Sequence, residues 1–393
     1  SNGGDRLMDY RTYLKIDLDN LEYNYSNVRA KLPENVKLLG VIKANAYGHG
    51  AVETARFLDG KCDFFGVACV EEAIELKLAG IKAPVLVLGR VFPDEYEYIV
   101  RYDIRIPIFT LRDAEALSSE AVRQGKTVPF HFCVDTGMSR IGFQVNEENA
   151  DLCAEITKLP GIVAEGLFSH FATADEADLS KAIKQRERFK AFCKMLEERK
   201  VSVPIKHLNN SAGIMNFDEY FDMCRMGIVA YGMYPSDEVD HSLLDIRPVM
   251  SWHTKISFIK TVEPGTEISY GGTYKTAGKM KVATIPVGYA DGYPRCLSNI
   301  GKVLINGKFA KIIGRICMDQ FMVDVSDIEC EIDDGVVLIG RQGDAEITME
   351  EFSEKAYSFN YEMSCRIQTR VARLYVYKGK IISERCINSA SEY

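Results

Sequence analysis

Between residues 36 and 231, short apolar runs alternate with amphipathic helical stretches, and this alternation limits the fold more than any other feature of the chain. The runs fall at 36–43, 64–70, 84–88, 105–109, 128–134, 162–170, 205–209 and 224–230, with helical patterns between them, among them 71–78, 111–124 and 179–199. Each run is short and lacks a helical period, so it reads as a strand buried on both faces. Strands that alternate with helices build a parallel sheet, and a count of eight points to a closed, TIM-like (β/α)8 barrel. An open doubly wound sheet is the alternative that the same pattern allows.

Beyond about residue 235 the texture changes. Segments at 255–262, 281–287, 302–305 and 321–325 are rich in Val, Ile and Thr, and turns such as Asn306-Gly307 separate them. This pattern predicts a mostly antiparallel β domain with a short helical insertion around 348–357. A chain of 393 residues has room for both cores. The expected division is a barrel over 10–240 and a β domain over 241–385, and the opening strand, 12–18, is a candidate to pair with the second domain.

Charge and cysteine usage exclude several function classes. A net charge of −8 argues against nucleic acid and anionic membrane as partners. No apolar run approaches the length of a bilayer span. The opening Ser1-Asn2-Gly3-Gly4 has no signal-peptide pattern and reads as a cloning remnant with a short polar lead. The eleven cysteines are scattered and contain no Cys-x-x-Cys pair, which suits a reducing, cytoplasmic setting and provides no zinc framework. No metal site is read.

In a (β/α)8 barrel the chemistry lies at the carboxyl ends of the strands, often with a phosphate site after the seventh and eighth. Lys43 ends the first expected strand and His170 the sixth, Ser211 follows the seventh within two residues, and Gly227-Ile228 lies near the end of the eighth. A strand-end lysine can be desolvated enough for Schiff-base chemistry. Taken alone it reads more simply as a lysine snorkelling to water.

The residues around Lys43 change that reading. Val41-Ile42-Lys43-Ala44-Asn45-Ala46-Tyr47-Gly48-His49-Gly50 closely resembles the segment on which alanine racemases hold pyridoxal 5'-phosphate (PLP). Further matches extend over roughly 13–377. PLP needs a lysine, donors for its phosphate and a partner for its ring nitrogen. In Cys224-Arg225-Met226-Gly227-Ile228 the resemblance makes Arg225 that partner, in place of a carboxylate, which favours proton exchange over transamination; alone, Arg225 reads equally as a structural residue paired with Asp222. His207-Leu208-Asn209-Asn210-Ser211 matches the family's His-x-x-Asn-Ser, whose histidine supports the arginine and whose serine holds phosphate. The resemblance completes a phosphate cradle with Asn210, the amides of Gly227 and Ile228, and the hydroxyls of Tyr47 and Tyr361.

Racemisation removes a proton from one face of the α-carbon and returns one to the other, so a second acid/base must stand opposite Lys43. Ile268-Ser269-Tyr270-Gly271-Gly272-Thr273-Tyr274 resembles the family segment whose tyrosine enters the site from the other subunit of a homodimer. That casts Tyr270 as the second base and His170, in Phe168-Ser169-His170-Phe171-Ala172-Thr173, as its barrel neighbour. Asp135-Thr136-Gly137-Met138-Ser139-Arg140 resembles the loop whose arginine meets the PLP phenolic oxygen and the substrate carboxylate, a role suited to the planar fork of Arg140. Gly314-Arg315-Ile316-Cys317-Met318-Asp319-Gln320 resembles a second-domain substrate segment, which assigns Met318 and Asp319, and Tyr289 in Val287-Gly288-Tyr289-Ala290-Asp291-Gly292 is assigned to the substrate entry.

Two positions depart from the family pattern. Cys133 stands where many members carry a carbamylated lysine that sets the arginine of the Asp-Thr-Gly-Met loop, and Val371-Ala372-Arg373 lacks the usual proline before its arginine. The resemblance implies a PLP-dependent alanine racemase that supplies D-alanine for peptidoglycan, acting as a homodimer with shared sites and using Lys43 and the partner's Tyr270. A serine racemase domain from a glycopeptide-resistance protein shares nearly all these motifs; Tyr361, which crowds the substrate side-chain pocket, favours alanine. A non-catalytic PLP-binding protein built on the barrel alone is the remaining alternative, and the second domain with Tyr270 and Asp319 argues against it.

Overall fold

The computed structural model describes residues 10–387, and the polar lead Ser1-Asn2-Gly3-Gly4 lies outside them. The described residues fall into two compact units. The first comprises Glu22–Ala46 and Gly50–Arg247; the second comprises the residues up to Leu21, Tyr47–His49, and those from Pro248 on.

Among the described residues the strands of the N-terminal half are β1 (Thr12–Asp17), β2 (Lys37–Val41), β3 (Phe64–Val67), β4 (Val85–Val87), β5 (Pro107–Ile108), β6 (Val128–Asp135), β7 (Phe143–Gln144), β8 (Ile162–Phe168), β9 (Ile205–His207) and β10 (Met223–Met226). Eight of them form a parallel sheet in the order β4-β3-β2-β10-β9-β8-β6-β5, with β7 beside β6. A parallel bridge between Leu86 and Arg105 joins β4 to the residues leading into β5 and closes the ring. Every residue of β3, β4 and β10 is buried, as expected of a sheet covered on both faces. Helix starts between strands are capped by side chains: Thr110 accepts the Asp113 N–H ahead of Leu111–Arg123, and Asn146 accepts the Asn149 N–H ahead of Glu147–Ile156.

Several strands end earlier than the apolar runs predict. The first stops at Val41, so Lys43 lies beyond it. The eighth stops at Met226, because Gly227 leaves the extended region (φ −103°, ψ −110°) and Ile228–Tyr231 winds into a 3-10 turn. Ile42 after the first strand and Ile228–Tyr231 after the eighth are buried although they lie outside the strands, which is why hydrophobicity alone overran them.

The second unit holds β11 (Met250–Lys255), β12 (Phe258–Val262), β13 (Glu267–Ile268), β14 (Tyr274–Lys275), β15 (Met280–Ile285), β16 (Lys302–Ile305), β17 (Lys308–Ile313), β18 (Phe321–Asp324), β19 (Gly335–Gln342), β20 (Ala345–Ile347), β21 (Ala372–Tyr377) and β22 (Lys380–Arg385). Its large sheet runs β12-β15-β18-β17-β16-β19-β11-β1-β21-β22, with β20 on β19. The pairing of β1 with β21 is parallel, and the other ladders of this sheet are antiparallel. Strand β1 therefore belongs to this unit and not to the barrel span that begins at residue 10. The expected single strand at 255–262 is two, since the chain passes from β11 to β12 at Ile256-Ser257. Asn306 and Gly307, both with positive φ, make the tight hairpin between β16 and β17. The helical insertion is Met349–Lys355, capped by Thr348.

Candidate active site

Lys43 opens a turn that no propensity scale favours. Ala44, Asn45 and Ala46 adopt φ of 52–55°, a left-handed helical turn that costs roughly 1–2 kcal/mol per L-residue. Hydrogen bonds from every side offset the strain. The Ala44 N–H donates to Glu72 Oε2 at 2.7 Å, and the other oxygen of that carboxylate accepts from the Ala68 N–H at 2.7 Å. The Ala46 N–H returns to Ile42 O, the Gly50 N–H reaches Asn45 O, and the Ala51 N–H reaches Asn45 Oδ1 at 2.8 Å. The lysine thus projects from a backbone pinned on both sides.

Around the same strand ends stands a group of buried polar side chains. Arg225, in β10, is 3% exposed. Its NH1 donates to His207 Nδ1 at 2.8 Å and His207 O at 3.3 Å; its NH2 donates to Ser169 O at 2.7 Å and Leu208 O at 3.1 Å, with His170 Nδ1 at 3.4 Å. Four of its five N–H groups are thereby used, leaving the Nε–H for a further acceptor. Asp222 is not its partner, since that carboxylate accepts the Lys206 N–H. Burial draws the Arg225 guanidinium down to about 10, which leaves it charged at neutral pH. His170 is held near 3 by burial and by the positive charges of Arg225, Arg140 and Lys43, so it is a neutral imidazole. Those same interactions show that Lys43, Arg140, His170 and Arg225 share one electrostatic neighbourhood.

On the phosphate side, Asn210 Oδ1 accepts the Gly213 N–H, and Ser211 Oγ accepts the Gly227 N–H at 3.0 Å and the Val229 N–H at 3.5 Å. Its hydroxyl hydrogen is directed away from those amides. Arg140 is exposed, on the loop after β6, beside Cys133. The Cys133 thiol is 3% exposed and pushed up to about 12 by burial, against the pull of Arg225 and Arg140, so it brings no charge to the place of a carbamate. Gln185 ties the two loops that carry Arg140 and His170, donating to Thr136 Oγ1 and His170 O and accepting the Ala172 N–H.

The second unit gathers the remaining candidates. Tyr47 is buried with its ring 6.1 Å from that of Tyr361, and burial followed by Tyr361 raises its phenol. Arg373 donates to Gly48 O, Ile367 O, Gln368 O and Val371 O, and Tyr375 donates to His49 O, which ties Tyr47–His49 to this unit. Gly48 has no room for a side chain, since a Cβ would meet Ser364 O at 2.0 Å. The loops bearing Tyr270, Tyr289, Met318 and Asp319 form one cluster: Ser269 Oγ donates to Arg315 O, the Tyr289 and Ala290 N–H groups donate to Cys317 O and Met318 O, and Arg370 joins Asp319 to the fully buried Asp291. Tyr270 is 70% exposed, Met318 54% and Tyr289 43%.

Sequence reasoning passed over Glu72, His131, Glu165, Gln185 and Arg370. His131 and Glu165 lie on barrel strands that predict apolar interiors, so a charged or titratable residue there was the available signal. His131 Nδ1 lies 2.9 Å from His207 Nε2, and His131 Nε2 lies 3.0 Å from Glu165 Oε1.

A lysine on a pinned turn, a buried arginine with one N–H to spare, and a hydroxyl set among backbone amides match the needs of PLP: an amine for its aldehyde, a donor for its ring nitrogen and donors for its phosphate. At the carboxyl ends of a parallel barrel they define a barrel-type PLP protein. The family models for the alanine racemase N-terminal and C-terminal domains match residues 16–235 and 249–375. Alanine racemase 2 of Caldanaerobacter subterraneus subsp. tengcongensis is 43% identical over 94% of this chain and 96% of its own length. An alanine racemase of Halothermothrix orenii is 43% identical over 94% of this chain and 97% of its own. Among solved structures, an alanine racemase of Clostridium difficile 630 superposes with a TM-score of 0.93 at 41% identity, covering 96% of this chain and 99% of that one. The chain belongs to the alanine racemase family, whose members depend on PLP.

Proposed function

We propose that the chain racemises alanine, with Lys43 and the partner subunit's Tyr270 as the two acid/base groups. The observation that carries this reading is the setting of Arg225: a charged, buried guanidinium with its other donors engaged and one N–H left to meet a ring nitrogen. When bound, PLP supplies the electron-withdrawing ring that acidifies the α-hydrogen of the amino acid. An arginine at the nitrogen donates a hydrogen bond without giving up its proton, which tempers that withdrawal and favours plain proton exchange. Lys43 Nζ holds the cofactor and moves the proton on one face; Tyr270 Oη of the partner subunit moves it on the other. His170, kept neutral by burial and by its cationic neighbours, turns its Nδ1 lone pair toward Arg225 and has its Nε2–H with which to orient that phenol. Ser211, with Asn210 bracing its turn, the amides of Gly227 and Ile228, and the hydroxyls of Tyr47 and Tyr361 would hold the phosphate. Arg140 would hold the phenolic oxygen and the substrate carboxylate, and Tyr289, Met318 and Asp319 would line the substrate side.

The functional division we propose is a barrel module up to residue 240, without its first strand, and a β module over 241–385. Homodimerisation gives the exposed Tyr270, Tyr289 and Met318 a partner surface to complete. Among the described residues no helix is long and apolar enough to cross a membrane, and we place the enzyme in the cytoplasm, supplying D-alanine for the cell wall. The serine alternative is disfavoured because the relatives described above are alanine racemases. Rates on L-alanine and L-serine, measured side by side by release of the D-isomer, test the substrate: alanine should dominate, and a larger kcat/KM for serine would reverse the choice. Borohydride reduction and peptide mapping should find the cofactor on Lys43, and a label on another lysine would sink the mechanism.

A further inference from the structure

Arg225 is one end of a buried chain of hydrogen bonds that runs through the barrel interior. NH1 of Arg225 meets His207 Nδ1 at 2.8 Å, His207 Nε2 meets His131 Nδ1 at 2.9 Å, and His131 Nε2 meets Glu165 Oε1 at 3.0 Å. Arg105, just before β5, closes the far end with a forked contact: its Nε and NH2 donate to Glu165 Oε1 and Oε2 at 3.2 Å each. His131 and His207 are wholly buried.

The two ends leave this chain one consistent arrangement. A guanidinium can only donate, so His207 Nδ1 must be a lone pair. An ionised carboxylate can only accept, so His131 Nε2 must carry a hydrogen. Burial disfavours a charge on either ring, so each keeps a single proton. His207 is then Nε2–H, donating to His131 Nδ1, and His131 is Nε2–H, donating to Glu165. A proton added to either ring sets two donors face to face at one of the contacts. Glu165 stays ionised throughout: burial pushes its carboxyl up, but the bonds from His131 and Arg105 outweigh this and hold it near 2. The direction of the whole chain is therefore fixed from both ends, by the donors of Arg225 and by a carboxylate three hydrogen bonds away, and losing the carboxylate leaves only one of the two.

We propose that Glu165 and His131 are positioning residues for the reaction, locking His207 in the Nε2–H tautomer and so aiming the guanidinium of Arg225. With an acceptor at 165 lost, His131 can take the other tautomer, the chain can reverse, and His207 turns an N–H toward Arg225. Two donors cannot share that 2.8 Å contact, so the guanidinium turns and its outward Nε–H moves with it. Neither Glu165 nor His131 is needed for PLP to attach at Lys43. The effect on the reaction rests on the role of Arg225 given above, whereas the tautomers can be read independently of it.

The test uses the PLP-loaded protein labelled with 15N at its six histidines. In the wild type, two neutral Nε2–H imidazoles should persist from pH 6 to 9, joined by a through-hydrogen-bond 15N–15N coupling. Glu165→Leu should replace them with mixed tautomers and lower kcat by about tenfold, the lower end of what outer-shell partners give, with KM little changed. Glu165→Gln, which keeps an oxygen for His131 but turns an amide NH2 toward Arg105, should restore the tautomers and part of kcat. A wild-type His207 that is Nδ1–H or charged overturns the proposal whether or not the variants fold. So does Glu165→Leu with scrambled tautomers and unchanged kcat. Failure of the underlying mechanism would appear separately, as a wild type that does not racemise alanine or carries PLP on another lysine.

Discussion

The arginine and histidines at the barrel's strand ends and the loop candidates of the β unit are presented in opposite ways. In the barrel, Arg225 and His207 are buried and held by several named contacts, His170 is half-buried beside Arg225, and the protonation of all three is shifted by burial and by one another. In the β unit, Tyr270, Tyr289 and Met318 stand in solvent, and what is fixed is the loop beneath them, through Ser269, Arg370 and Asp291. The difference fits the roles proposed for the two parts. A cofactor that stays in place can be met by groups whose geometry is set when the barrel folds. Side chains that complete another subunit's site must remain exposed until that subunit covers them, so only their backbones can be pre-ordered. Buried arginines occur in both units with different consequences: the contacts named for Arg225 leave one N–H unspent, whereas Arg373 gives its donors to backbone carbonyls and serves the fold.

The largest expected effect tests the exposed side of this contrast. Tyr270→Phe should lower racemisation on the order of 10²–10⁴-fold while leaving the visible cofactor band intact, because nothing in the barrel depends on that hydroxyl. A variant within threefold of wild type in both directions would remove Tyr270 from the chemistry. Next comes Arg373→Ala, which strips donors from four carbonyls and should destabilise the protein by about 3 kcal/mol, read from urea unfolding; an unchanged midpoint would show that Arg373 is not the internal brace of the β unit. Smaller is the response to acid. His170, His131 and His207 titrate below their ordinary 6.5 in the folded protein, and Glu165 below its ordinary 4.5. At pH below 6.5 the unfolded chain binds more protons than the folded one at these histidines, so stability falls as pH drops through that range. The loss deepens below 4.5 as Glu165 joins. Urea midpoints at pH 8, 6 and 5 should decline in that order, with the imidazole signals of His131 and His207 still neutral at pH 6; a flat profile would mean that these rings are not buried neutral.

The barrel was legible because its strands are local, mostly apolar and separated by helices, and the β16–β17 hairpin because Asn306-Gly307 is a local turn signal. Features made by distant contacts were not. Strand β1 pairs with β11 and β21, more than 230 residues away in sequence, and nothing in its own residues selects those partners. The left-handed turn after Lys43 contains Ala44 and Ala46, which alone argue against that conformation; Glu72, from the next βα segment, helps to hold it. Motif spacing brought His207, Ser211, Arg225 and Gly227 to one place, and the structure joins them through direct hydrogen bonds. It gave no hint of Glu165 and His131, because they sit on different strands and meet only once β6 and β8 pair, at the irregularity beside His131.

The contrast between a complete barrel end and waiting β loops reduces to whether one site draws on two chains. Mixing an inactive Lys43→Ala chain with an inactive Tyr270→Phe chain tests this directly. Random exchange makes half the dimers mixed, and each mixed dimer holds one intact site and one doubly impaired site, so about a quarter of wild-type sites should return if sites are independent in a closed dimer. Subunit exchange confirmed by mass with no recovery of activity would contradict the shared site, and Lys43 and Tyr270 would then have to act from a single chain.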